Sequence, residues 1–190
     1  MNQAADTMEY PALALLEVRS IARGMAVVDA MVKKATVVVQ SAHTISPGHF
    51  IILLAGPVAE IEESLLEGLA RAGDTVLDHV FLPYVHPFVP NAIAGKFGVA
   101  ENDSVAIIET FTVAGTIRGA DAACKAADVR IIAIRLGQGI GGKAVVVLAG
   151  QLFDIEAAVV AVKDVVQRSL LTEIEIVPRP HPDFLTIFAH

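Results

Sequence analysis

At 190 residues the chain has room for one large domain or two small ones. Apolar residues make up 54% and charged residues 18%, an apolar excess that predicts burial between subunits. A net charge of −7, with no run of Lys and Arg, excludes a nucleic-acid surface, and the longest apolar runs (Phe50 to Ala55, Ala144 to Ala149) are too short to cross a bilayer.

The opening MNQAADTMEY has neither a basic stretch nor an apolar run, so no signal peptide is expected. The first strand runs from Leu13 to Val18. A helix follows, with Ile21, Met25, Val28, Val32 and Ala35 at helical spacing and Asp29, Lys33 and Lys34 off that stripe. Val37–Val39 is the second strand, and Thr44 to Gly48 is a turn with Pro and Gly as breakers. Ile51–Leu54 is the third strand. A second helix starts near Val58, with Val58, Ile61, Leu65 and Leu69 on one face, and Gly73 stops it. Val76–Leu82 is the fourth strand. Residues 88–104, with Pro90, Asn91, Gly95, Gly98, Asn102 and Asp103, are expected to be a loop-like linker.

The plan then repeats. Residues 13–37 match 105–129 at a constant offset of 92, which aligns Glu17 with Glu109, Asp29 with Asp121, Lys33 with Lys125 and Ala35 with Ala127. FIILLAGPVAEIEESL matches AVVVLAGQLFDIEAAV at an offset of 94, and LPYVHP matches VPRPHP at 95. Three blocks in one order establish a duplication. On the second helix of the second copy, Ile155, Val159, Val162 and Val166 form the apolar face. Each copy is therefore predicted as β-α-β-β-α-β, an α+β ferredoxin-like arrangement with both helices on one face of the sheet. The domains are expected at 11–95 and 103–190.

The LLEV opening, the DAMVKKA helix, the Gly-containing loop before the third strand and the VPRPHP ending resemble the shell domain of bacterial microcompartments. Two unpermuted copies in one chain are similar to the tandem-domain shell proteins, most of all the T-type subgroup of propanediol-utilisation microcompartments. The TISPGHF loop, the GIGGK loop and the VPRPHP ending carry that likeness. The resemblance implies a homotrimer that imitates a hexameric tile, with other shell proteins as neighbours at its edges. It also implies a place in the microcompartment shell of the cytoplasm and no enzymatic activity. The single Cys124 fits a reducing compartment and excludes an intramolecular disulfide.

In this family the loops before the third strands line a central pore for small metabolites. The resemblance assigns that role to Thr44, Ile45, Ser46, Pro47, Gly48 and His49, and to Gly139, Ile140, Gly141 and Gly142. Lys33 and Lys125 fall at the family's edge-lysine position and Arg179 at its edge arginine, which Tyr84 replaces in the first copy. Relatives of the T type carry a cysteine in the first loop, and three copies hold an iron–sulfur cluster. Here Ser46 stands at that place, and a hydroxyl is a poor iron ligand. The expectation is an open polar pore with no cofactor and no metal site.

Among other residues, Cys124 reads as a small hydrophobe in a packed helix. His86 and His181 read as structural, and no nucleophile–base–acid set recurs in both copies. Two rivals to the tile stay open on sequence alone: a cluster-bearing electron conduit, and a trimeric ferredoxin-like metabolite sensor with clefts between subunits.

Overall fold

The computed structural model describes residues 11–98 and 104–188. The first copy contains β1 (Ala12–Val18), α1 (Ile21–Lys34), β2 (Val38–Ile45), β3 (His49–Gly56), α2 (Val58–Ala72), β4 (Val76–Leu82) and the short α3 (Phe88–Ile93). The second contains β5 (Ser104–Thr110), α4 (Val113–Ala126), β6 (Val129–Leu136), β7 (Ala144–Gly150), α5 (Leu152–Val165), β8 (Leu171–Val177) and α6 (Pro182–Leu185). Each copy is a four-stranded antiparallel sheet, in the orders β2-β3-β1-β4 and β6-β7-β5-β8. The predicted unpermuted βαββαβ plan is what forms.

The local reasons recur in both copies. Ser20 caps α1 by accepting from the Arg23 N–H, and its repeat equivalent Thr112 caps α4 by accepting from Gly115 N–H. Gly73 ends α2 at φ 57, with its N–H returned to the Leu69 carbonyl. Alternate residues of β1 part to opposite faces. Ala12, Ala14, Leu16 and Val18 meet Val27, Met31, Ile61 and Leu65 of α1 and α2, whereas Leu13 and Leu15 join a second core that extends into the other copy. In that second core α4 packs on β4 and β1 of the first copy.

Three expectations need correction. The second strand is longer than Val37–Val39 and runs to Ile45, because Gln40, Ser41, His43 and Thr44 sit on an edge strand where polar side chains reach solvent. Residues 88–93 of the expected linker form α3, whose Val89 and Ala92 are buried. Of the stripe, Val28 packs against its own sheet's core, but Ile21, Met25 and Val32 stay exposed. The face buried on the sheet carries Gly24, Val27 and Met31, and Met25 is 60% exposed.

The stripe is nevertheless meaningful. Its repeat equivalents on α4 are Val113, Ile117, Ala120 and Cys124, all buried, and Val113, Ile117, Ala120 and Cys124 belong to the core shared with the first copy. The same helical face is covered in one copy and largely exposed in the other, at Ile21, Met25 and Val32.

Candidate functional site

The β2–β3 hairpin tip and the β6–β7 loop meet within the chain. Thr44 and Ile45 close β2, Ser46–Pro47–Gly48 turns, and His49 opens β3. Gly48 returns its N–H to the Ile45 carbonyl at 2.9 Å. Across from this tip lie Gly137 and Gly142, at φ 81 and 82. A Cβ on Gly142 would stand 2.6 Å from the Ser46 carbonyl oxygen, and one on Gly137 would stand 2.6 Å from Ile45 Cδ1. Both the backbone conformation and the closeness of the other loop therefore demand glycine. Gly139 and Gly141, also at positive φ, have open space around them, and Ile140 accepts from the Lys143 N–H. The two predicted loops are thus brought together, one from each copy.

Beside the tips is a feature that sequence reasoning missed. Glu17, fully buried on β1, accepts the Val113 N–H at 2.9 Å and so caps the start of α4 from the other copy. Its other oxygen faces His49 Nδ1 at 3.4 Å, and neither atom has a hydrogen-bond partner. Burial opposes the Glu17 charge, Asp78 adds repulsion, and the backbone N–H bonds only partly compensate, so the carboxyl is pushed up from 4.5 to about 7. Burial, helped by Arg19, holds the His49 imidazole below its usual range. In the second copy the equivalent pair is Glu109 with Lys143, 3.3 Å apart and more exposed. The signal was available: the repeat sets Glu17 against Glu109 and His49 against Lys143, each acid inside an apolar strand.

Further bonds close this seam between the copies. Thr112 Oγ1 donates to Asp78 at 2.6 Å, Arg118 pairs with Asp78 and bonds the His79 carbonyl, and Asp121 accepts the His86 N–H at 2.7 Å.

The edge candidates are not free cations. Lys33 and Lys125 lie in the last turns of α1 and α4, paired with Asp29 at 2.7 Å and Asp121 at 2.6 Å. Asp121 is 6% exposed and Asp29 is 62% exposed, which again separates a covered helix from a bare one. Arg179 is exposed in the turn after β8, at φ 51. Tyr84 is exposed at the equivalent place.

His86 and His181 do similar structural work. Their Nδ1 atoms accept from Phe88 and Asp183 N–H at the starts of α3 and α6. Cys124 is buried in α4, and burial pushes its thiol up to about 12. Among the described residues no group of three or more His, Cys, Asp or Glu is placed to hold a metal ion. The loop tips offer the Ser46 hydroxyl and no thiol, a donor set that does not fit an iron–sulfur cluster.

The BMC domain model matches the chain twice, at residues 12–85 and 104–180. The chain is 39% identical over 171 residues to the bacterial microcompartment shell protein PduT of Citrobacter freundii, covering 90% of this chain and 93% of that protein. Over 81 residues, 43% of this chain, it is 33% identical to the carboxysome shell protein CcmK3 of Halothece sp. (strain PCC 7418), covering 79% of that protein. A crystal structure of a microcompartment protein from Desulfitobacterium hafniense DCB superposes with a TM-score of 0.81 at 39% identity, over 93% of this chain and 98% of that one. The fused permuted hexameric shell protein MSM0275 shares the fold, with a TM-score of 0.58 at 20% identity over 80% of each chain.

Proposed function

Because the chain belongs to the BMC domain family and carries that domain twice, we propose that it is a structural tile of a bacterial microcompartment shell that works as a homotrimer. Its curated relatives are shell proteins rather than enzymes. Neither the electron conduit nor the free-standing sensor is favoured by those likenesses.

The observation that carries the trimer is the unequal covering of the two copies. Within the chain, α4 lays its Val113–Ile117–Ala120–Cys124 face on β4 and β1, and Glu17 caps its start. The same face of α1 exposes Ile21, Met25 and Val32, and among the described residues the edge strand β8 has no neighbour on its outer side. Seating α1 of one chain on β8 and β5 of the next repeats the internal seam between chains. Glu109 would then cap Ile21, and Asp29 would accept from His181. Such head-to-tail contacts close a ring, and three chains supply six domains.

On this reading the hairpin tips gather round the ring's axis. Thr44–His49 and Gly139–Gly142 line a polar pore for small metabolites, without a cluster at Ser46. Lys33, Lys125 and Arg179 lie on the perimeter, where the tile meets other shell proteins. Native mass spectrometry tests the ring: the expected mass is three times the 20.0 kDa chain, and a stable monomer at micromolar concentration overturns it.

A further inference from the structure

A cavity of about 600 Å³ lies within each chain between its two copies, apart from the α4 seam and the edge lysines. Its floor is the second face of the first sheet, Leu13, Leu15, Ile51 and Leu53. Ile93 and Phe97 wall one side, and Ser41, His43, Arg135 and Gln138 contribute the polar part of the lining. The volume, the apolar floor and the few polar groups match small-molecule sites, which favour junctions between domains.

The duplication shows how the two copies differ at this place. Residues 87–93 correspond to 182–188 at an offset of 95. In the second copy Leu185 and Phe188 pack on the matching sheet face, against Val105 and Val147. Their counterparts in the first copy are Pro90 and Ile93. The cap on the first copy is smaller and borders the cavity, whereas Leu13, Leu15, Ile51 and Leu53 beneath it are themselves 0–2% exposed.

The charge of the lining selects the occupant. Arg135 and His43 are its ionisable residues, and no carboxylate is among them, in a chain of net charge −7. Arg135 is exposed at the mouth and has no carboxylate partner among the described residues. A guanidinium at the rim of an aliphatic floor fits a carboxylate head on a short hydrocarbon body. We propose that this cavity binds a small aliphatic monocarboxylate, its head on Arg135 and its body against the accessible side chains of Ile93, Phe97 and Leu136, next to the buried Leu13, Leu15, Ile51 and Leu53. Leu136 and Gln138 flank the first glycine of the β6–β7 loop, and His43 precedes Thr44 on β2, so the occupant rests against the roots of both hairpin tips. The site is complete within one chain and leaves the tile reading as it stands.

Methyl-labelled protein titrated with hexanoate, and separately with hexanol and acetate, tests this. Saturable shifts of the Leu13, Leu15, Ile51 and Leu53 methyls are expected with hexanoate, at least about tenfold tighter than with either control. Arg135→Gln, an exposed change that should leave the urea midpoint in place, should remove the preference for hexanoate over hexanol. Ile93→Phe, which installs the second copy's own residue, should abolish binding of both. Equal affinity for hexanol, retention of the preference in Arg135→Gln, or shifts confined to the bare face of α1 overturns the proposal.

Discussion

Met25 and Ile117 occupy the same position in the two copies, yet changing them should disturb different processes. Ile117 is fully buried, so Ile117→Ala should cost about 2–5 kcal/mol of folding stability. Met25 is 60% exposed in the single chain. Burying a methionine fully contributes about 1.5–3 kcal/mol, so covering what is bare here gives roughly 1–2 kcal/mol per seam. Met25→Glu removes that and leaves an unpaired charge in the seam. A combined loss of about 3 kcal/mol is about a hundredfold in each contact's dissociation constant. Within the chain the new carboxylate faces water and should move folding by no more than about 0.5 kcal/mol. Sedimentation velocity reads the association state and urea unfolding of diluted protein reads the fold. The expected result is a folded Met25→Glu monomer. A variant that stays trimeric, or that loses as much folding stability as Ile117→Ala, refutes the equivalence of the two seams.

Replacing Lys33 and Lys125 together by Ala should leave the trimer intact, since the exposed Lys33–Asp29 pair contributes only about 0.3–0.5 kcal/mol and the buried Asp121 keeps its bond from the His86 N–H, and should abolish sheets in electron micrographs. Glu17 sets a pH dependence: between 4.5 and about 7 the folded chain keeps a proton that the unfolded chain has released. Stability should therefore fall as pH rises through that window, by about 3 kcal/mol in all, and level off above it. His49 acts in the opposite sense at the acid end, so the measurement is the urea midpoint of Glu17→Gln against the parent. The variant should gain with rising pH, and parallel curves would contradict the assignment. Ser46→Cys should take up iron and sulfide on anaerobic reconstitution, whereas the Ser46 protein should not. A stoichiometric cluster on Ser46 would end the open-pore reading.

The sequence made the repeat, the strand order and the core of α5 legible, because those rest on periodicity and on offsets that can be counted. Ile155, Val159, Val162 and Val166 are buried as expected. The stripe on α1 differs from its expected role for a physical reason: hydrophobic spacing marks a face that wants cover and does not say whether its own sheet or another domain provides it. β2 was shortened because edge strands tolerate residues such as Gln40 and Thr44, which blur the alternation. The contact of Gly142 with Ser46 joins residues 96 apart, and no local pattern encodes it. The partner of Glu17 lies in the other copy, so the alignment with Glu109 shows only that an acid recurs inside two apolar strands, which is expensive unless it has a partner.

The covalent link between the copies changes how a ring of such domains assembles. With α4 already seated on β4, half of the seams are unimolecular and experience an effective concentration in the millimolar range, whatever the dilution. The proposed ring then needs three intermolecular seams instead of six, so assembly should depend on total protein with a much lower reaction order than six separate domains would show. It also frees the two kinds of seam to diverge. The tethered one can tolerate the half-ionised Glu17 beside a neutral imidazole, while the one proposed to form between molecules keeps an ammonium, Lys143, against its acid.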